Sequence, residues 1–200
     1  MVTLERFELP TCGLGNRRSI HLSYRATHDQ FTVCCDSFSR KREFALMAKD
    51  EFILRPYRKD DLPDLYVVED LCFAKRFRFG RKELRDYVES KTAVTWVAET
   101  VSGLAGFANA DLRGKGVRYG YLQTIDIVPE YRRHKIASAL LAKVELGIMQ
   151  AGSRGMGLHV SVTNEPAIRL YEKHGYSRIG VERKFYRDAG DAFVYWKSLD

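Results

Sequence analysis

The stretch YLQTIDIVPEYRRHKIASALL, residues 121–141, decides how the chain is read. Its first half is an apolar run that ends at Pro129. In its second half Ile136 and Leu140 begin a series, continued by Val144 and Ile148, that recurs every fourth residue beside Ala137 and Leu141. This pattern predicts a strand, a tight turn and a helix with one broad apolar face, stopped at Gly152. A helix that starts in this way offers free backbone N–H groups and the positive end of its dipole, the two features that hold a phosphate. The turn contains no glycine, and Arg132, Arg133, His134 and Lys135 gather cations where the dipole disfavours them by about 0.3 kcal/mol or more each. On charge alone the turn is either a solvated basic surface or a site that waits for an anion. Backbone amides are what such a site needs, and a residue in helical dihedrals presents its N–H without being glycine. Lys135 is therefore expected in the helical region, with its Cβ directed away from the anion.

Upstream, Glu51–Arg55 reads as a strand and Pro56 as a turn, followed by a helix capped by Asp60 or Asp61. GRKELRDYVES (80–90) suggests a second short helix. TAVTWVAET (92–100) and SGLAGFANADL (102–112) suggest an antiparallel pair turned at Ser102-Gly103. Downstream, MGLHVSV (156–162) reads as a buried strand. Asn164 caps a helix that tolerates Pro166 in its first turn and ends at Gly175, and YSRIGVE and DAFVYWKSL are the last strands.

Residues 1–46 differ from the rest. SIHLSY (19–24) and FTVCC (31–35) alternate like a β-hairpin before the basic SRKRE (39–43), so this segment is expected to be an N-terminal extension, a β-hairpin or poorly ordered, ahead of a domain over residues 47–200.

An apolar content of 45% in 200 residues supports one domain with a sizeable core. No apolar run approaches the roughly 18 residues of a membrane span, so a cytoplasmic location is expected. Cys12, Cys34, Cys35 and Cys72 lack the spacing of a zinc site or a disulfide framework, so no metal is expected. A net charge of +7 and a pI near 9.2 favour anionic partners without choosing among them. With no zinc-finger spacing and no RRM-type aromatic motif, nucleic acid is a weak candidate.

VPEYRRHKIASALL resembles the acetyl-CoA pyrophosphate loop of the GNAT superfamily of N-acetyltransferases, Q/R-x-x-G-x-G/A, with Arg132 at its first position, Ala137 at its last and Lys135 where glycine is usual. FILRPYRKDD (52–61) is similar to that superfamily's first strand and turn, and NEPAIRLYEKHGYSRIGV (164–181) to its final helix and strand. The resemblance covers residues 51–199. Together with FYRDAGDAFVYWKSL (185–199), it is strongest to the branch of ribosomal-protein alanine N-acetyltransferases. It implies an α/β (α+β) acyl-CoA N-acyltransferase fold: a mixed, mostly antiparallel central sheet, splayed between its fourth and fifth strands and flanked by helices.

The resemblance also implies roles. Acetyl-CoA would be the co-substrate, its pantetheine arm along the strand edge Ile125, Asp126 and Ile127 and in contact with Asn164. Its pyrophosphate would lie on the amides of Arg133, His134, Lys135, Ile136, Ala137 and Ser138. Tyr171 corresponds to the general acid that protonates the departing thiolate. Counting back twelve residues from Tyr171, where that branch places a glutamate base, gives His159. Asp126 acting through water, or a water chain alone, are the alternatives. The acceptor would meet AKRFRFGRKELRDY (74–87) and FYRDAGDAF (185–193). Lys75, Arg76, Arg78, Arg81 and Lys82 make the first of these either a solvated basic face or a surface that favours acidic or phosphate-bearing acceptors. The implied acceptor is a protein N-terminal amine, perhaps of a ribosomal protein. A small-molecule amine, or a non-catalytic acyl-CoA or nucleic-acid binding module, are the other readings.

Overall fold

In the computed structural model the described residues are 51–73, 75, 78–114, 118–186 and 190–199. The expected N-terminal hairpin lies outside them, as do Arg76 and residues 187–189 of the expected acceptor hairpin. Seven strands form one sheet in the order β1-β2-β3-β4-β5-β7-β6. They are β1 (Ile53–Pro56), β2 (Ala93–Thr100), β3 (Gly103–Arg113), β4 (Tyr119–Ile127), β5 (Gly155–Ser161), β6 (Ser177–Glu182) and β7 (Ala192–Ser198). All neighbours are antiparallel except β4 and β5. The helices are α1 (Leu62–Cys72), α2 (Arg81–Val88), α3 (Ile136–Gln150) and α4 (Glu165–Lys173).

The sheet is covered on both faces, and each face has its own core. On one side α3 buries Ile136, Leu140, Leu141, Val144 and Ile148 against Ala108, Leu122 and Ile125, in a cluster that includes Tyr171 of α4. The fourfold spacing in the sequence is thus a single buried face. On the other side Leu65, Val68 and Cys72 of α1 and Leu84 and Val88 of α2 pack with Val97 and Phe107. Arg55 of β1 joins the sheet to the first turn: it holds the Asp61 carboxylate by two bonds of 2.7 and 2.8 Å and also bonds Glu99. Asp61, expected as a helix cap, therefore makes no side-chain capping bond to α1, because its carboxylate is taken by Arg55 and by the Arg58 N–H at 2.7 Å.

Two irregularities open the sheet where the site lies. β3 pairs Asn109 with Thr124 but Ala110 with Leu122, so Gln123 is an extra residue that bends β4. β4 and β5 then pair only through Gly120 with Met156 and Tyr121 with Gly157. Gly155 and Gly120 at this pairing let other elements close on the strands, since a Cβ on them would meet Trp196 of β7 at 2.2 Å and Ile148 of α3 at 2.4 Å. Past this point β5 follows β7, with which it pairs along its whole length, and the edge of β4 from Leu122 onward is left without a neighbouring strand. Among the described residues no helix is long and apolar enough to cross a membrane.

Candidate active site

At the end of β4 the chain turns through a short 3-10 segment, Pro129–Tyr131, into α3. The first α3 amide to find its partner in this turn is that of Ala139, which bonds the Lys135 carbonyl at 3.1 Å. The amides of Ile136, Ala137 and Ser138 precede it and point out of the helix end. No acidic residue lies in the first turn of α3. A cleft of about 270 Å³ opens there, lined by Ile127, Tyr131, Arg132, Arg133, Lys135, Ile136, Ala137 and Ser138, and by Pro166 and Leu170 of α4. Seven of the sequence-predicted residues thus share one wall, while Ile125, Asp126, His134 and Asn164 are not part of that lining. Arg132 is tied back by a bond from its Nε to the Ile127 carbonyl at 3.1 Å.

The helical dihedrals expected for Lys135 are not found. Its φ of 62° and ψ of 8° are left-handed, and Arg133 is left-handed as well, with φ 69°. A non-glycine residue in this region costs about 1–2 kcal/mol, so the turn keeps the backbone shape that glycine gives and bears strain for doing so. Alternating hands aim successive amides into one concavity, an arrangement that suits anions.

Helix α4 positions two further groups. Asn164 caps it, its Oδ1 accepting the Ala167 N–H at 3.4 Å, while its buried Nδ2 has no partner. At the other end Tyr176 N–H bonds the Tyr171 carbonyl at 3.0 Å and Gly175 N–H bonds that of Glu172 at 3.1 Å, with Gly175 at φ 84°. The Tyr176 ring packs edge-on against Tyr171 at 5.7 Å. This closure fixes the Tyr171 ring, whose hydroxyl is buried without any hydrogen-bond partner. Burial, with smaller contributions from Tyr186, Asp126 and Tyr121, pushes that phenol well above the ordinary tyrosine range.

On β5, beyond the last pair with β4, His159 lies between two partners. Its Nδ1 is 2.9 Å from the Tyr121 hydroxyl and its Nε2 3.0 Å from Glu182 Oε2. A carboxylate only accepts, so Nε2 carries the proton of the neutral ring and Nδ1 accepts from Tyr121. Phe185 stacks on the imidazole at 4.2 Å and 7°. Burial lowers the His159 pKa, Glu182 opposes that effect, and Arg113 adds to it. Tyr121 and Glu182 escaped the sequence reading. Tyr121 looked like one more apolar strand residue, and only the two-residue β4–β5 pairing brings it to His159.

Asp126 is sequestered. Thr124 donates to its Oδ1 at 2.5 Å, and its Oδ2 is buried with no hydrogen-bond partner, as is the Oε2 of Glu69. Burial first, and Glu69 next, raise Asp126 well above the ordinary carboxylate range. The basic loop is also less available than its composition suggests. Arg78 pairs with Asp70 at 2.8 Å and donates to the Phe73 and Asp70 carbonyls, Lys82 pairs with Asp86, and Arg81 lies over Tyr66. Among the described residues no cluster of three or more His, Cys, Asp or Glu side chains could hold a metal ion.

Residues 61–176 match the family described as Acetyltransferase (GNAT) family. The chain is 28% identical over 159 residues to an N-alpha-acetyltransferase of Saccharolobus solfataricus, covering 74% of this chain and 94% of that protein. Its fold is similar to the crystal structure of the ribosomal-protein-S18-alanine N-acetyltransferase from Escherichia coli, with a TM-score of 0.64 at 22% identity over 75% of this chain and 95% of that one. It is also similar to Arabidopsis thaliana NAA60 in complex with acetyl-CoA, with a TM-score of 0.65 at 24% identity over 74% of this chain and all of that one.

Proposed function

Since the chain belongs to the GNAT acetyltransferase family, we propose that it transfers the acetyl group of acetyl-CoA to the α-amine of a protein N-terminus, with residues 47–200 as the acetyltransferase domain. The observation that carries this reading is the presence of two proton-handling groups on neighbouring elements, Tyr171 on α4 and His159 on β5. Tyr171, with a raised pKa and no partner, holds a proton it can give, and His159, neutral and backed by Glu182, can take one.

The residues at hand fit the co-substrate. The amides of Ile136, Ala137 and Ser138 and the cations of the turn would hold its phosphates, the free edge of β4 at Ile125–Ile127 would accept the pantetheine arm like an added strand, and the unpaired Asn164 Nδ2 would donate to that arm. Bound acetyl-CoA supplies the acetyl thioester. An N-terminal ammonium must lose a proton before it can attack. Tyr121 oxygen receives that proton while its own passes to His159 Nδ1, and Glu182 stabilises the resulting imidazolium. As the N–C bond forms and the C–S bond breaks, Tyr171 delivers its proton to the departing sulfur, the surplus proton of the new amide nitrogen returns through water to the Tyr171 oxygen, and no enzyme nucleophile takes part. Asp126, buried and holding the Thr124 hydroxyl, is assigned no step in the transfer.

The N-terminal acceptor is favoured by the 74% of this chain that aligns with an N-alpha-acetyltransferase over nearly all of that protein's length. The test offers acetyl-CoA with free peptides, N-terminally blocked peptides carrying an internal lysine, and small polyamines. Acetylation of the free α-amine, located by mass spectrometry, is the expected result. Transfer only to blocked peptides or polyamines would overturn the reading. Peptides with the N-terminus of a ribosomal protein are the natural first choice.

A further inference from the structure

Arg113 is the last residue of β3, and its guanidinium carbon lies 3.8 Å from the centre of the Tyr121 ring. A guanidinium set against an aromatic face keeps its N–H donors along its rim, in the fork geometry that matches a carboxylate. Among the described residues no carboxylate pairs with Arg113 and no hydrogen-bond acceptor is recorded for its donors, whereas Arg78 and Lys82, the cations expected to colour this region, are bound to Asp70 and Asp86. Glu182, the acid nearest the base, already accepts from His159. Tyr121 therefore carries His159 at its hydroxyl and a cation without a described counter-ion over its ring, one ring length apart.

Resting on the N-terminal reading above, we infer that Arg113 is a specificity-determining residue that takes a side-chain carboxylate from the first or second residue of the acceptor, so that acidic N-termini are the preferred substrates. An amine positioned at the Tyr121 hydroxyl leaves only those two side chains within reach of a guanidinium on the same ring. The net charge of +7 adds a long-range pull on anionic peptides. A lysine at the same positions meets like charge and is rejected.

The experiment measures kcat/KM on the full chain with acetyl-CoA and peptides that differ only by Asp, Asn or Lys at each of the first two positions. Because Arg113 also supports Tyr121, the readout is the ratio between peptides and not the absolute rate. The Asp peptide is expected to exceed the Asn peptide by about tenfold to a hundredfold, as for a charge-assisted bidentate contact. Arg113→Gln collapses that ratio towards one, Arg113→Lys keeps part of it, and Arg113→Glu places Lys above Asp. Melting curves establish that each variant folds. Equal rates for Asp and Asn in the wild type, or a preference that survives Arg113→Gln and Arg113→Glu, overturn the inference while leaving N-terminal transfer intact. Failure of every peptide alongside turnover of a polyamine overturns the N-terminal reading, and the inference with it.

Discussion

The Tyr121 hydroxyl meets His159 Nδ1 at 2.9 Å just where β4 and β5 stop pairing, so the last hydrogen-bonded rung of the parallel pair supplies one member of the proposed proton relay. The strand beyond the rung supplies the other. The relation depends on neutral imidazole, and burial secures this by lowering the His159 pKa from its ordinary 6.5. The acidic limb of kcat/KM against pH should accordingly lie below that value, because the base is lost only when protons outcompete burial. Glu182 stabilises the imidazolium and so raises the pKa that burial lowers. Glu182→Gln is expected to move the limb to still lower pH, and His159→Gln to remove it. A limb that moves upward in Glu182→Gln would exclude His159 as the titrating group.

Tyr171 gives a prediction in which stability and activity part. Its hydroxyl is buried and unpaired, a condition that costs a folded protein about 1–3 kcal/mol. Tyr171→Phe removes the atom without changing the ring that packs on Tyr176. The variant is expected to melt at the same temperature or higher, yet to turn over about 10²–10⁴-fold more slowly, with acetyl-CoA affinity little changed. Calorimetry and single-turnover kinetics read the two quantities separately. A large fall in melting temperature would make Tyr171 a packing residue.

Much of this was legible beforehand, for identifiable reasons. The α3 face could be read because Ile136, Leu140, Val144 and Ile148 fall on one side of a helix whatever surrounds it, and Gly152 and Gly175 because only special backbone positions call for them. The His159–Tyr121–Glu182 chain of contacts could not, since it joins β5 to β4 and β6 through contacts 38 and 23 residues apart in sequence. The partners of the basic residues were hidden for the same reason. Arg78 advertises itself in a basic run but is consumed by Asp70, while Arg113 stands alone in the sequence and gains its setting only from Tyr121 across the sheet.

The Arg55 cluster tests the other end of the domain. Arg55 holds two carboxylates, Asp61 and Glu99, and all three residues are buried. Removing one partner of such a group leaves a buried charge short of compensation, at a cost of about 3–5 kcal/mol. Arg55→Met should be the most damaging single change, since it strands two acids. In a domain of this size the melting temperature should fall by on the order of 10 °C. A change of less than about 2 °C would mean that water replaces the guanidinium freely.

Lys135 carries the last prediction. Its left-handed backbone costs a side-chain-bearing residue about 1–2 kcal/mol, whereas glycine in the same place loses about 0.5–1 kcal/mol of chain entropy on folding. Lys135→Gly should therefore stabilise the free protein by roughly 0.5–1 kcal/mol, while Lys135→Ala, which keeps the Cβ, should give no such gain. Both variants lose the same ammonium from a helix end that has no acid in its first turn, so any rise in KM for acetyl-CoA due to charge should appear in both. A stability gain confined to Lys135→Gly, with matching KM shifts in the two variants, separates backbone strain from electrostatics in one experiment. Should Lys135→Gly melt below Lys135→Ala, the left-handed turn would not be the conformation that the protein holds in solution, and the amide cradle would have to be rebuilt from another geometry.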